Sequence, residues 1–117
     1  MSKTNNQVTV QFVEQLLTAG WKQKISYLND LSQRLKLKDM ALCPQLLESM
    51  WLELLQDNNV NVLQKTVATL RTWVDAYGIR NLRLKRELVK TLVALAKMGK
   101  ADVDSDVIAI LTTLEAR

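Results

Sequence analysis

Catalysis and metal binding need side chains that can exchange protons, attack or ligate, and this 117-residue sequence holds few of them. It contains no histidine and a single cysteine, Cys43. A lone thiol closes no internal disulfide, and without an imidazole nearby it lacks its usual base and its usual zinc co-ligand. Cys43 therefore reads as a small, half-buried side chain near a helix start. Asp102, Asp104 and Asp106 alternate like the opening of a calcium loop, but the central Gly and the closing Glu of such a loop are missing. They read as the capping, acidic start of a helix. With no glycine-rich phosphate loop either, the sequence predicts no catalytic centre, no metal site and no cofactor, and hence a non-enzyme.

Binding is what remains. The strongest electrostatic feature is the basic run Arg80, Arg83, Lys85, Arg86 and Lys90. On a helix, Arg83, Arg86 and Lys90 share a face through their three- and four-residue spacing, while Leu84, Leu88 and Leu92 occupy another. Such a face, Arg80 included, can follow a nucleic-acid backbone or an acidic protein surface, and a merely solvated helix exterior has the same composition. No aromatic residue interleaves these charges, so there is no stacking platform for single strands. The net charge of +4 and a pI near 9.4 favour an anionic partner over a cationic one.

The elements that carry these residues are helices. Nearly half the residues are apolar, about a quarter are charged, and three glycines and one proline make up all the strong breakers, which is the balance of one globular helical domain. Residues 1–8 read as a polar leader and native start, followed by a single domain over 9–117. The leader lacks the apolar core of a secretory signal, and no apolar run approaches the ~20 residues of a membrane span. An intracellular protein is expected, with the cytoplasm favoured over the nucleus.

Apolar residues recur at helical spacing in six segments. The first, about Thr9 to Ala19, has Phe12, Val13, Leu16 and Leu17 on one stripe. The second, Lys22 to about Leu37, has Ile25, Leu28, Leu31 and Leu35. A third follows Asp39 and Pro44 and runs to Gln56 with Leu47, Met50, Trp51, Leu54 and Leu55. The fourth, Val60 to Tyr77, carries two apolar faces, which predicts burial between layers. The fifth, Asn81 to Met98, uses Leu84, Leu88, Leu92 and Leu95; the last, Asp104 to Ala116, uses Val107, Ile110, Leu111 and Leu114. Gly20, Gly78 and Gly99 each follow such a segment, where a left-handed residue often closes a helix. Asp57, Asn58 and Asn59 form a polar corner able to bond its own backbone and cap the fourth helix.

Six helices with short connections lie antiparallel to their chain neighbours, giving an all-α fold of three hairpins. A plain six-helix bundle and a stack of repeats both satisfy this pattern. The segment Leu46 to Trp73 resembles the HEAT motif, in which an Asp ending the first helix is followed by a Val, a small residue and a Leu at fixed spacing. Those are Asp57, Val62, Thr66 and Leu70 in this chain. Leu63 stands where the motif has an Arg that pairs with the Asp of an adjacent repeat. The resemblance implies a right-handed, armadillo-like stack that serves as a protein-interaction scaffold.

Within that class, Trp21, Lys22, Lys24, Tyr27, Leu28 and Leu31 are similar to the first repeat of the tubulin-binding TOG domains, and Asp57 to Asn59 to their second turn. This resemblance implies tubulin or another cytoskeletal protein as partner. It also implies a contact edge made by the turns inside the hairpins, at Trp21, Lys22, Asn58, Asn59 and Lys100. Large aromatics usually bury, which gives Trp21 a second reading as an anchor packed over a helix end. A short stack leaves its end helices half covered, so self-association is expected too, with Trp51 or Trp73 as exposed anchors.

Overall fold

The computed structural model describes residues 5–37, 47–57, 59–77, 85–98 and 104–115. Six helices account for nearly all of them: α1 (Asn5–Thr18), α2 (Trp21–Lys36), α3 (Glu48–Leu54), α4 (Val60–Tyr77), α5 (Lys85–Met98) and α6 (Asp104–Glu115). There is no strand among the described residues. The helix α1 begins at Asn5, inside the stretch expected to be a leader, and α4 has the limits its periodicity predicts.

Helices α1 and α2, α3 and α4, and α5 and α6 pack as three hairpins. The hairpins then stack in chain order. Helix α3 lies between α1 and α5 in one layer, and α4 lies between α2 and α6 in the other, where the most extensive packing is found. A closed six-helix bundle would press the first hairpin against the third; among the described helices the substantial packing joins only adjacent hairpins. The thickness of 22 Å, against 48 and 34 Å in the other directions, equals about two helix diameters and fits this two-layer slab.

The middle hairpin supplies the centre of the core because it has neighbours on both sides. Both apolar faces of α4 are covered, with Val62, Leu63, Val67, Leu70, Trp73 and Val74 all essentially inaccessible. Met50, Trp51 and Leu54 of α3, with Leu47 and Leu55 flanking it, are buried in the same core. Trp51 and Trp73 pack with ring centroids 5.6 Å apart at a tilt of 50°. Each ring removes a large apolar area from water and each is fully buried, so neither is the exposed anchor that self-association was expected to use.

The first hairpin closes around Phe12, whose ring makes a T-shaped contact with that of Tyr27, centroids 5.9 Å apart at 87°. The Arg34 guanidinium lies 5.8 Å from the same ring. In the third hairpin, Leu88, Leu92 and Leu95 of α5 and Val107 and Ile110 of α6 face the core. The expected stripes thus face inward wherever they are described.

Gly20 departs from its expected role. Its φ of −67° and ψ of 165° are extended, not left-handed, and it is the residue from which α2 starts. Its carbonyl accepts the Lys24 amide at 2.9 Å, closing the first turn of α2. Gly78 and Gly99, like Asp39, Cys43 and Pro44, lie outside the described residues.

Candidate functional site

The turns inside the first two hairpins are tied to one another. At the second, Asp57 Oδ1 accepts the Asn59 amide at 2.8 Å. Asn59 Oδ1 in turn accepts the amides of Asn61 (2.9 Å) and Val62 (3.2 Å), and its carbonyl accepts the Leu63 amide, so Asn59 caps α4. The polar corner expected from the sequence is therefore real at these two residues. The remaining Asp57 oxygen, Oδ2, receives the Lys24 ammonium at 3.0 Å.

Lys24 belongs to α2, so this ion pair crosses from the first hairpin to the second. Both side chains are about four-fifths covered. Partial desolvation raises the Asp57 carboxyl, but the Asn59 amide, the Lys24 hydrogen bond and the Lys24 charge outweigh it, and the group lies below its ordinary value. Lys24 is the fourth residue of α2, and Leu63 is the fourth residue of α4. The cation absent at Leu63 is thus present one hairpin earlier, in the same register, and bonds the Asp of the next hairpin. A second bridge, Arg71 Nη1 to Asp106 Oδ1 at 2.9 Å, joins α4 to α6. Asp106 therefore pairs across hairpins, where a helix cap was expected. Neither bridge had a signal in the sequence: Lys24 and Asp57 stand 33 residues apart and Arg71 and Asp106 35, and only the stacking of hairpins brings them together.

On the edge fixed by this link, Trp21 and Lys22 open α2. Trp21 is 44% exposed, against the complete burial of Trp51 and Trp73. The reading of Trp21 as an anchor packed over a helix end is corrected by that exposure, at the first position of α2. The Lys22 ammonium lies 5.6 Å from the Trp21 ring centroid, within cation–π range. An exposed indole with a cation on its face offers apolar area, an N–H donor and positive charge in one place.

Of the expected edge residues, Trp21, Lys22 and Asn59 flank the two linked turns, with the Asn59 side-chain oxygen engaged in capping. Asn58 and Lys100 lie outside the described residues. In the basic run, Arg86 and Lys90 are exposed on α5, and Arg80 and Arg83 lie outside the described residues. Among the described residues no group of three His, Cys, Asp or Glu side chains could hold a metal ion. No described helix is long and apolar enough to cross a membrane.

The described residues form an all-α stack of three helical hairpins, with the exposed Trp21 beside two turns joined by an ion pair. Compared with known protein families, curated proteins and solved structures, the chain matches none.

Proposed function

We propose that this chain is a non-catalytic protein-interaction module of the HEAT type, whose contact edge is the line of turns begun by Trp21 and Lys22. The single observation that carries this reading is the exposed Trp21 with the Lys22 ammonium on its ring. Aromatic residues dominate interface energetics, and a Trp held at the end of a helix loses little entropy on contact. The Lys24–Asp57 bridge supports the repeat reading, because it links successive hairpins through the two positions that the motif uses for that purpose. It also holds the turns at a fixed spacing, and a preorganised edge binds at lower ordering cost.

The partner proposed is tubulin or a cytoskeletal assembly containing it, on the likeness of Trp21, Lys22, Lys24, Tyr27, Leu28 and Leu31 to the first TOG repeat. An intracellular setting follows from that partner. The test is co-sedimentation and anisotropy with purified tubulin, comparing the intact chain with a Trp21→Ala/Lys22→Glu variant of unchanged helicity. Binding by the intact chain and its loss in the variant is the expected result. Equal binding by both would refute the edge, and no binding by the intact chain would refute tubulin as the partner.

A further inference from the structure

The turn edge leaves the charge distribution of the chain unexplained. Of sixteen basic and twelve acidic residues, seven basic and one acidic fall within 80–100, so the rest of the chain carries nine basic and eleven acidic. The whole positive excess is confined to one segment. Within it, α5 exposes Arg86, Lys90 and Lys97. At 100° per residue these three fall within about 40° of one another around the helix, and Leu88, Leu92 and Leu95 lie about 180° away. The cations therefore form one stripe, about 16 Å long at 1.5 Å per residue, on the side opposite the core. Glu87 is the only acidic residue of the helix and stands at the margin of the stripe.

Among the α5 side chains described, those of residues 86–97, the exposed ones are Arg86, Glu87, Lys90, Ala94 and Lys97, and none is aromatic or a large aliphatic. A protein partner draws its energy from buried aromatic or apolar anchors, which this face does not offer. A membrane surface would gain from inserted apolar side chains, and none is exposed among the described residues of this face. Single strands are held by stacking on aromatic rings, again missing. A duplex backbone requires regularly placed cations alone, because release of condensed counterions supplies the free energy. Neither Asn nor Gln, the readers of adenine, stands on the stripe, and phosphate contact is what a row of cations serves first.

We propose that the outer face of α5 is a second contact surface, independent of the turn edge, that binds the phosphate backbone of duplex nucleic acid without regard to sequence. Three phosphate contacts give a log–log salt slope of about −2.7, so affinity falls about 40-fold between 50 and 200 mM salt.

The experiment is fluorescence anisotropy of a labelled random 20-base-pair duplex with the full chain at both salt concentrations. Beside it are run an Arg86→Gln/Lys90→Gln/Lys97→Gln variant, a single Lys90→Glu variant in case the triple change perturbs folding, and Lys22→Glu as a control on the turn edge. Circular dichroism checks that each is folded. The proposal expects steeply salt-dependent binding that the α5 variants weaken about tenfold or more and that Lys22→Glu leaves within about twofold. It is overturned by absence of binding at 50 mM, by binding insensitive to salt, or by binding that survives in the α5 variants. Capture by phosphatidylserine vesicles without capture by duplex would overturn it in favour of a lipid surface. Because Lys22→Glu disables only the turn edge, failure of this inference and failure of the protein-binding reading are told apart.

Discussion

The Lys24 ammonium and the Asp57 carboxylate meet at 3.0 Å across the boundary between the first and second hairpins, and the same carboxylate holds the turn that leads into α4. One acidic side chain thus fixes a local turn and a tertiary contact. A partly buried pair with additional hydrogen bonds contributes more than an exposed one. In a double-mutant cycle, Lys24→Met with Asp57→Asn, the coupling is expected near 1 kcal/mol. The Asp30–Arg34 pair, one turn apart on α2 and far more exposed, is expected to couple by under about 0.5 kcal/mol. Urea midpoints of the four forms of each cycle check this, and equal coupling at both sites would refute the structural role of the bridge.

The same pair makes a pH prediction. Asp57 titrates lower in the folded chain than in the unfolded one, so its contribution is complete above the ordinary carboxylate range and is lost as pH falls through the folded value. The stability difference between the native chain and Asp57→Asn should therefore be constant from about pH 5 to 8 and shrink below about pH 4. Other carboxylates cancel in that difference. A gap that persists undiminished at pH 2.5 would disprove the assignment.

Thr66 is fully buried on α4, and its hydroxyl has no hydrogen-bond partner among the described residues, in contrast to Thr69, which bonds the Lys65 carbonyl at 2.8 Å. Desolvating a hydroxyl without compensation costs about 1–3 kcal/mol, and valine has nearly the same shape. Thr66→Val is expected to stabilise by about 1 kcal/mol, a rise of roughly 4 °C in Tm. Calorimetry measures this directly. A fall in Tm would mean that the hydroxyl is satisfied in solution.

Gly20 stands at the N-cap of α2 with extended dihedrals and no side-chain cap, and nothing lies within 4 Å of the position a Cβ would take. Gly20→Ser adds a capping oxygen and removes unfolded-state freedom, and should stabilise by about 0.5–1.5 kcal/mol. Gly20→Ala has the entropy benefit but is a poor cap, so it should be close to neutral. Equal shifts in both variants would show that capping contributes nothing at this turn.

Much of this protein was legible in its sequence because it depends on local periodicity. The 3.6-residue spacing of Leu28, Leu31 and Leu35, or of Met50, Trp51 and Leu54, already fixes which side of each helix must leave water. The two apolar faces of α4 likewise required neighbours on more than one side, which the structure supplies as α3 in the other layer and α2 and α6 in its own. Asp57 and Asn59 announced a capped turn, since short polar side chains of this kind readily bond the backbone a few residues on. What tertiary structure alone decided was the partner of each face and the fate of each tryptophan. Trp21, Trp51 and Trp73 are chemically identical, and whether an indole is buried depends on what a second helix places over it: Trp51 of α3 and Trp73 of α4 are buried against one another in the middle hairpin, and Trp21, at the start of α2, is left exposed. Lys24 and Asp57 stand 33 residues apart, and no periodicity connects them. They meet because stacking one hairpin on the next brings the first turn of α2 beside the turn that leads into α4, a relationship that exists only once the chain has folded.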